Sequence, residues 1–208
     1  MIARDWVGET CFIIGGGPSV ATQPIDLLRG RRVIVINSSF ERAPWADILI
    51  FHDDRWWKEY KDAVLATFAG EIFTTWAVSH PRVKRLRNCR PHRRLKNSPL
   101  MLSADPSAIP MRRTTVSGAL NIACLKGANR IVTLGLDGKP GPNGERNHYQ
   151  VPYPNKWGHR PNTWERHQAD VAPLVPQIEA LDVRVVNASP GSAWTLWPIV
   201  PLEEALAG

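Results

Sequence analysis

The stretch that most constrains the fold is residues 11–19, CFIIGGGPS: a short apolar run that breaks into three glycines, a proline and a serine. A continuous apolar run ending at turn residues reads as a strand buried on both faces, because a half-exposed strand alternates. Gly15, Gly16 and Gly17 carry no Cβ where the chain leaves that strand, so another group can approach the backbone closely. Pro18 and Ser19 suit the first turn of a helix, expected over 20–28, whose free N–H groups favour an anion. Strand, glycine turn and helix start together make a phosphate-binding device. The spacing departs from G-x-G-x-x-G, since Ser19, Val20 and Ala21 stand where a late glycine is expected, and no Gly-Lys-Ser/Thr follows. A tight strand–helix turn without a ligand is the competing reading.

Strand and helix signals then alternate. Apolar runs at 31–37, 47–51, 71–76, 129–135 and 183–187 predict further strands, and 56–68, 115–127 and 164–181 predict helices. The helix at 115–127 ends on Gly127, and the one at 164–181 is interrupted near Pro173 and Pro176. Residues 80–112 are rich in proline and basic residues and read as irregular; 138–163 reads as a long loop. This pattern predicts an α/β fold: one doubly wound, mostly parallel, Rossmann-like sheet with helices on both faces and a basic irregular excursion. Right-handed crossovers place the strand ends at 15–19, 37–39, 53–54 and 137 on one edge, where a ligand is expected. With 208 residues, no internal repeat and no linker, the chain reads as a single domain, residues 1–208.

Cys11, Cys89 and Cys124 are scattered and odd in number, which points away from a disulfide framework or zinc ribbon and towards a reducing, cytoplasmic setting. No apolar run reaches membrane length, so a membrane partner is not expected. The net charge of +7 favours an anionic partner, and residues 82–96 alone carry eight Lys or Arg. A solvated face is the commoner role of such a run; a phosphate, glycan or nucleic-acid contact is the functional one. Of nine tryptophans, Trp45, Trp56, Trp57, Trp76, Trp157 and Trp164 lie near expected loops, where stacking on a ligand ring competes with ordinary packing.

Several segments, in order, resemble one known group. Residues 12–20 (FIIGGGPSV) resemble the G-x-G-P-S-L loop of the bacterial sialyltransferases that use CMP-activated sialic acid. Residues 35–40 (VINSSF) are similar to a strand end of theirs, 113–137 to their Thr-Ser-Gly helix and Gly-Ile-Asp strand end, and 147–149 with 158–159 to their Ser-His-Tyr…Gly-His segment. Residues 187–192 (NASPGS) are similar to their last strand and its Pro-x-Ser loop. The same core occurs in flagellin glycosyltransferases, in 6-hydroxymethylpterin diphosphokinase-like proteins and in phage proteins with a Trp-Trp pair like Trp56-Trp57. The resemblance covers nearly the whole chain. It departs at Gly16, where the sialyltransferases have Asn, and after Asp137, where their phosphate-binding tyrosines have no match and Lys139 or Arg146 are the substitutes at hand.

The resemblance implies a nucleotide-sugar-dependent glycosyltransferase, phage- or prophage-encoded and working in the host cytoplasm. It needs no cofactor beyond its nucleotide-sugar donor, a CMP-sugar by this likeness. His148 is the implied general base, with Arg113 and Asp137 beside it at the catalytic centre. Gly15, Gly16, Gly17, Pro18, Ser19, Asn37, Ser117, Gly118 and Ser192 form the implied nucleotide site. Capping and loop bonds compete with function at Ser117 and Asp137. The acceptor, a nucleic acid or glycan, and a homo-oligomeric state stay open. Two other functions compete. In a diphosphokinase, Asp53 and Asp54 hold Mg²⁺, although Asp at that place also caps a helix. A non-enzymatic nucleotide- or DNA-binding protein would use 82–96. His148, His159 and His167 lack zinc-site spacing.

Overall fold

A computed structural model of the chain describes residues 1–91, 98–148 and 162–207. In it, the apolar runs pair with one another in parallel: β1 (Thr10–Ile14), β2 (Arg32–Ile36), β3 (Ile48–Phe51), β4 (Glu71–Thr74) and β5 (Val83–Arg85), followed later by β8 (Arg130–Leu134) and β9 (Arg184–Asn187). They form one sheet in the order β5-β4-β3-β2-β1-β8-β9. β1 is central, with Phe12 opposite Val33 of β2 and Val132 of β8. Its residues 11–14 are fully buried, as an unbroken apolar strand must be when both sheet faces are covered.

The pleat sends alternate side chains into two cores. Cys11, Ile13, Ile34, Ile48, Ile50 and Ile131 point to one face, covered by α2 (Val116–Lys126), α3 (Thr163–Val171) and α4 (Val175–Glu179). Phe12, Ile14, Val33, Leu49, Val132 and Leu134 point to the other, covered by α1 (Asp54–Thr67) and the short α5 (Leu202–Ala207). Trp56, Trp57, Tyr60 and Val64 line one stripe of α1, and Trp57 stacks on Phe51 with ring centroids 5.0 Å apart. These tryptophans are core residues, with burial worth about 2–3 kcal/mol each. α2 is buried on nearly all sides and stops at Gly127, whose left-handed φ of 94° closes the helix end. The architecture is the α/β, Rossmann-like, parallel sheet that strand–helix alternation predicts, with helices on both faces.

Three local expectations are corrected. The segment expected as a helix over 20–28 is two 3₁₀ turns, Pro18–Thr22 and Ile25–Leu28. Pro24 has no N–H to donate and pushes Gln23 to extended backbone, so an α-helix cannot run through. Residues 80–112 are not wholly irregular: β5 extends the sheet, and β6 (Arg87–Asn88) pairs in parallel with β7 (Ala108–Ile109). Val83 and Leu86 are buried although Lys84, Arg85 and Arg87 surround them, and such charge is ordinary on an edge strand. The helix expected at 164–181 divides into α3, a 3₁₀ turn at Ala172–Leu174 that contains Pro173, and α4, which contains Pro176.

Candidate functional site

The chain runs outward from β1 through β2 to β5, then returns to lay β8 on the other side of β1. That reversal puts a topological switch point outside the carboxyl ends of β1 and β8, the place where parallel α/β sheets hold ligands in a crevice; a cavity of about 550 Å³ lies at the other edge, lined by Gly8, Thr10, Asn129, Arg130 and Arg184 among others. Two loops meet at the switch point: 15–19 after β1, and 135–138 after β8.

The glycines serve this meeting. Gly15 N–H donates to Leu134 O at 2.7 Å and Gly17 N–H to Gly135 O at 2.9 Å. A Cβ on Gly15 would lie 2.9 Å from Gly135 O, and one on Gly17 would collide with the Asp137 carboxyl. The expectation that the Gly15 and Gly17 amides grip a phosphate is therefore corrected: the first is engaged by the end of β8 and the second by the loop that follows it. Pro18 opens a five-residue 3₁₀ turn rather than an α-helix, so no helix N-terminus adds to the site. What the missing side chains admit beside Gly17 is a carboxylate, and its charge repels a phosphate placed there.

Around that carboxylate lie buried polar atoms that find no partner in hydrogen-bond geometry among the described residues: Ser19 Oγ, Asn37 Oδ1, Asp137 Oδ2 and Trp194 Nε1, although the Ser19 hydroxyl stands close enough to the Asp137 carboxyl to pull on it. Asn37 stands at the end of β2 with φ 51°, a left-handed conformation that asparagine tolerates better than most residues. Asp137 is 5% exposed. Burial raises its carboxyl above the usual range, against the opposing pull of the Ser19 hydroxyl and amide and of Lys139. Native proteins seldom leave such groups unsatisfied, and a cluster of them at one crevice marks a place that something else completes.

His148 belongs to the same cluster. Its backbone N–H donates to Gly16 O at 3.1 Å, and its Nε2 lies 3.1 Å from Ser39 Oγ. Ser39 in turn donates its single hydroxyl proton to Gly15 O at 3.0 Å. With that proton committed, Nε2 must be the donor to Ser39, which puts the ring's lone pair on Nδ1. Burial first, then the Arg42 guanidinium, depresses the imidazole to about 4, so it is neutral at pH 7. Ser39, the residue that orients His148, was noticed in the sequence only as a polar strand end.

The remaining expected residues are engaged structurally. Arg113 gives both its backbone N–H (3.1 Å) and a guanidinium N–H (2.5 Å) to the Asp170 carboxylate, which is 2% exposed. Ser117 Oγ bonds Pro110 O and Thr114 O, and a Cβ on Gly118 would stand 2.5 Å from Met111 Sδ. Both belong to helix start and packing, and neither reaches the crevice as a ligand group. Ser192 Oγ donates to Leu136 O at 2.5 Å and holds the loop that carries Asp137. Asp53 caps α1, accepting from Arg55 N–H at 2.9 Å, and Asp54 pairs with Lys58 at 3.1 Å. Among the described residues no group of three or more His, Cys, Asp or Glu could hold a metal ion.

Much of the basic run is also committed. Arg82 bonds Leu65 O and Phe68 O, Lys84 pairs with Glu71, and Arg87 pairs with Asp105. Arg93, Arg94, Lys96, Tyr149, Trp157, Gly158 and His159 lie outside the described residues. No helix is long and apolar enough to cross a membrane, among the residues described.

No model of a known protein family and no curated protein matches the chain. One solved structure, of a 3-ketoacyl-(acyl-carrier-protein) reductase from Brucella melitensis complexed with NADH, aligns over 98% of this chain and 90% of its own. The identity is 12% and the TM-score 0.26, a likeness too slight to carry an argument.

Proposed function

We propose that the crevice between β1 and β8 binds a nucleotide-sugar, and that the protein is a glycosyltransferase of the kind its sequence resembles. The observation that carries the reading is a set of buried oxygens without a partner in hydrogen-bond geometry among the described residues: Ser19 Oγ, Asn37 Oδ1 and Asp137 Oδ2, which follow the ends of three different strands at the switch point. Two of these, a carboxylate and an amide oxygen, only accept hydrogen bonds. They call for a ligand rich in O–H and N–H donors, which the ribose hydroxyls and amino group of a nucleoside supply. The switch point is also where such folds hold nucleotides.

His148 supplies the base. Being neutral at pH 7 and oriented by Ser39, its imidazole takes the proton of an acceptor hydroxyl as the sugar leaves the phosphate. The diphosphokinase reading is weakened because Asp53 and Asp54 are engaged by Arg55 and Lys58. The DNA-binding reading is weakened because Arg82, Lys84 and Arg87 are bound internally.

The test is a thermal-shift screen with CMP, UDP, GDP, ATP and their sugars, followed by release of free nucleotide from whichever sugar binds. Ligands that bind only the folded state raise its melting temperature. His148→Ala is expected to keep nucleotide binding and to lose about 10²–10⁴-fold in transfer or hydrolysis. Full activity in that variant removes His148 from the mechanism. Absence of any nucleotide shift in the wild-type protein overturns the reading altogether.

A further inference from the structure

If the glycine loop does not take a phosphate, the donors for one must lie elsewhere on the crevice. Among the unpartnered polar atoms at this edge, the indole Nε1 of Trp194 is the one that can only donate. Trp194 is 4% exposed, and a buried N–H without an acceptor is rarer in native proteins than a buried carbonyl without a donor.

Its position is not an accident of a loose loop. Trp194 N–H donates to Ser192 Oγ at 2.9 Å, Ser192 Oγ to Leu136 O, and Ala193 N–H to Asp137 O at 2.7 Å. Leu136 N–H donates to Ser189 Oγ at 2.9 Å. These bonds zip the loop after β9 to the loop after β8 and seat the indole against residue 138. That residue is glycine, with φ 65°, and a Cβ there would collide with the indole and lie 2.7 Å from Nε1 itself. Gly138 thus makes room for an indole whose N–H has no acceptor among the described residues. The next residue, Lys139, is exposed and has no ion pair among the described residues. Its Nζ reaches within 3.6 Å of where a Cβ on Gly191 would stand, on the loop that carries Trp194.

We infer that Trp194 Nε1–H and the Lys139 ammonium form the anion subsite of this crevice and take the phosphate of a nucleotide, on the β8–β9 side and away from the glycine loop. The inference rests on the nucleotide reading above and deepens it. Acceptor atoms on the β1–β2 side, together with Asp137, face the nucleoside; a neutral donor and a cation face the phosphate. The carboxylate beside Gly17 keeps the two ends of the ligand from exchanging places, because it repels an anion and attracts hydroxyls.

The experiment titrates the full chain with three probes, CMP, cytidine and inorganic pyrophosphate, by calorimetry. It uses the wild-type protein, Trp194→Phe, which keeps the ring and removes the N–H, and Lys139→Gln, an exposed position that does not enter the core. The expected result is a rise in Kd for CMP of about tenfold or more in Trp194→Phe, the size of one hydrogen bond to a charged group. Lys139→Gln should give a smaller rise, and the Kd for cytidine should move in neither variant. If CMP and cytidine bind the wild type and neither variant separates them, the subsite is overturned while the nucleotide reading stands. If pyrophosphate alone binds, and weakens in both variants, the subsite stands and the nucleotide reading falls. If none of the three probes binds the wild-type protein, both are overturned.

Discussion

The two edges of the sheet differ in how far they pair their polar groups. At the amino edge, charge is dense and paired. Arg32 makes two bonds to Glu9 at 2.8 and 3.0 Å and approaches Asp47 at 3.7 Å. Lys126, with a side chain only 3% exposed, meets Asp5 at 3.1 Å and Glu71 at 3.2 Å, and lies 5.1 Å from the Trp6 ring. At the carboxyl edge Ser19, Asn37, Asp137 and Trp194 have buried polar atoms without a hydrogen-bond partner among the described residues. The amino edge pairs its charges, although Trp45 Nε1 and Arg130 Nε are buried there without a hydrogen-bond partner among the described residues. The carboxyl edge gathers more such atoms on neighbouring loops, which is the feature the proposed site rests on.

The largest expected effect that would break this contrast is on acid stability. His148 and His52 both lie at the carboxyl edge and both sit near 4, depressed by burial and then by Arg42 and Arg90 respectively. Because the unfolded chain protonates first, near pH 6.5, their contribution is present above that pH and is lost as pH falls towards 4. Between pH 6.5 and 5 the loss is about 1.5 kcal/mol per histidine. At the amino edge, Glu71 is held below its ordinary value by Lys84 and Lys126 against the cost of burial, so its contribution is lost only below about pH 4.5. Urea unfolding as a function of pH checks this: His148→Gln and His52→Gln should each remove about half of the slope above pH 5. A slope untouched by both places the acid-sensitive groups elsewhere.

Lys126→Met should cost about 2 kcal/mol, since it removes the partner of two partly exposed carboxylates and keeps the bulk of the side chain. The melting temperature should fall by about 4–8 °C, with nucleotide affinity unchanged. A change under about 0.5 kcal/mol would show the amino-edge network to be ornamental.

Asp137→Asn should act in the reverse sense. A carboxyl raised in the folded state weakens folding at every pH above its unfolded value, so the amide should stabilise the protein at pH 7. The same change should weaken nucleotide binding. Loss of stability in this variant would mean that Asp137 is a structural residue.

Much of the fold was legible from the residues. Five continuous apolar runs became central or inner strands, and Gly127 ended its helix as glycine does. β5 was concealed by its charges, because Val83 and Leu86 give too short an alternation to stand out between Lys and Arg. α5 left only six residues of signal. Of the site, His148, Ser19, Asn37 and Asp137 were readable as polar residues at strand ends or through the family likeness. Trp194 was not, because a tryptophan in a sequence says nothing about whether its N–H will find an acceptor. Arg113 was misplaced because its partner, Asp170, is 57 residues away and no local pattern joins them.

The residues by themselves determined the class of the molecule: a parallel sheet sealed on both faces, with glycines where two strand ends must touch. Periodicity and the absence of Cβ atoms are local properties, and a chain carries them before it folds. Which groups would be satisfied was decided only in three dimensions. The Gly15 amide went to β8 and the Gly17 amide to the loop after it, the Asp137 carboxyl filled the space beside Gly17, and the Trp194 indole N–H found no acceptor among the described residues. A hydrogen bond depends on angles and ångströms between strands far apart in sequence, and composition does not encode those until the sheet has closed.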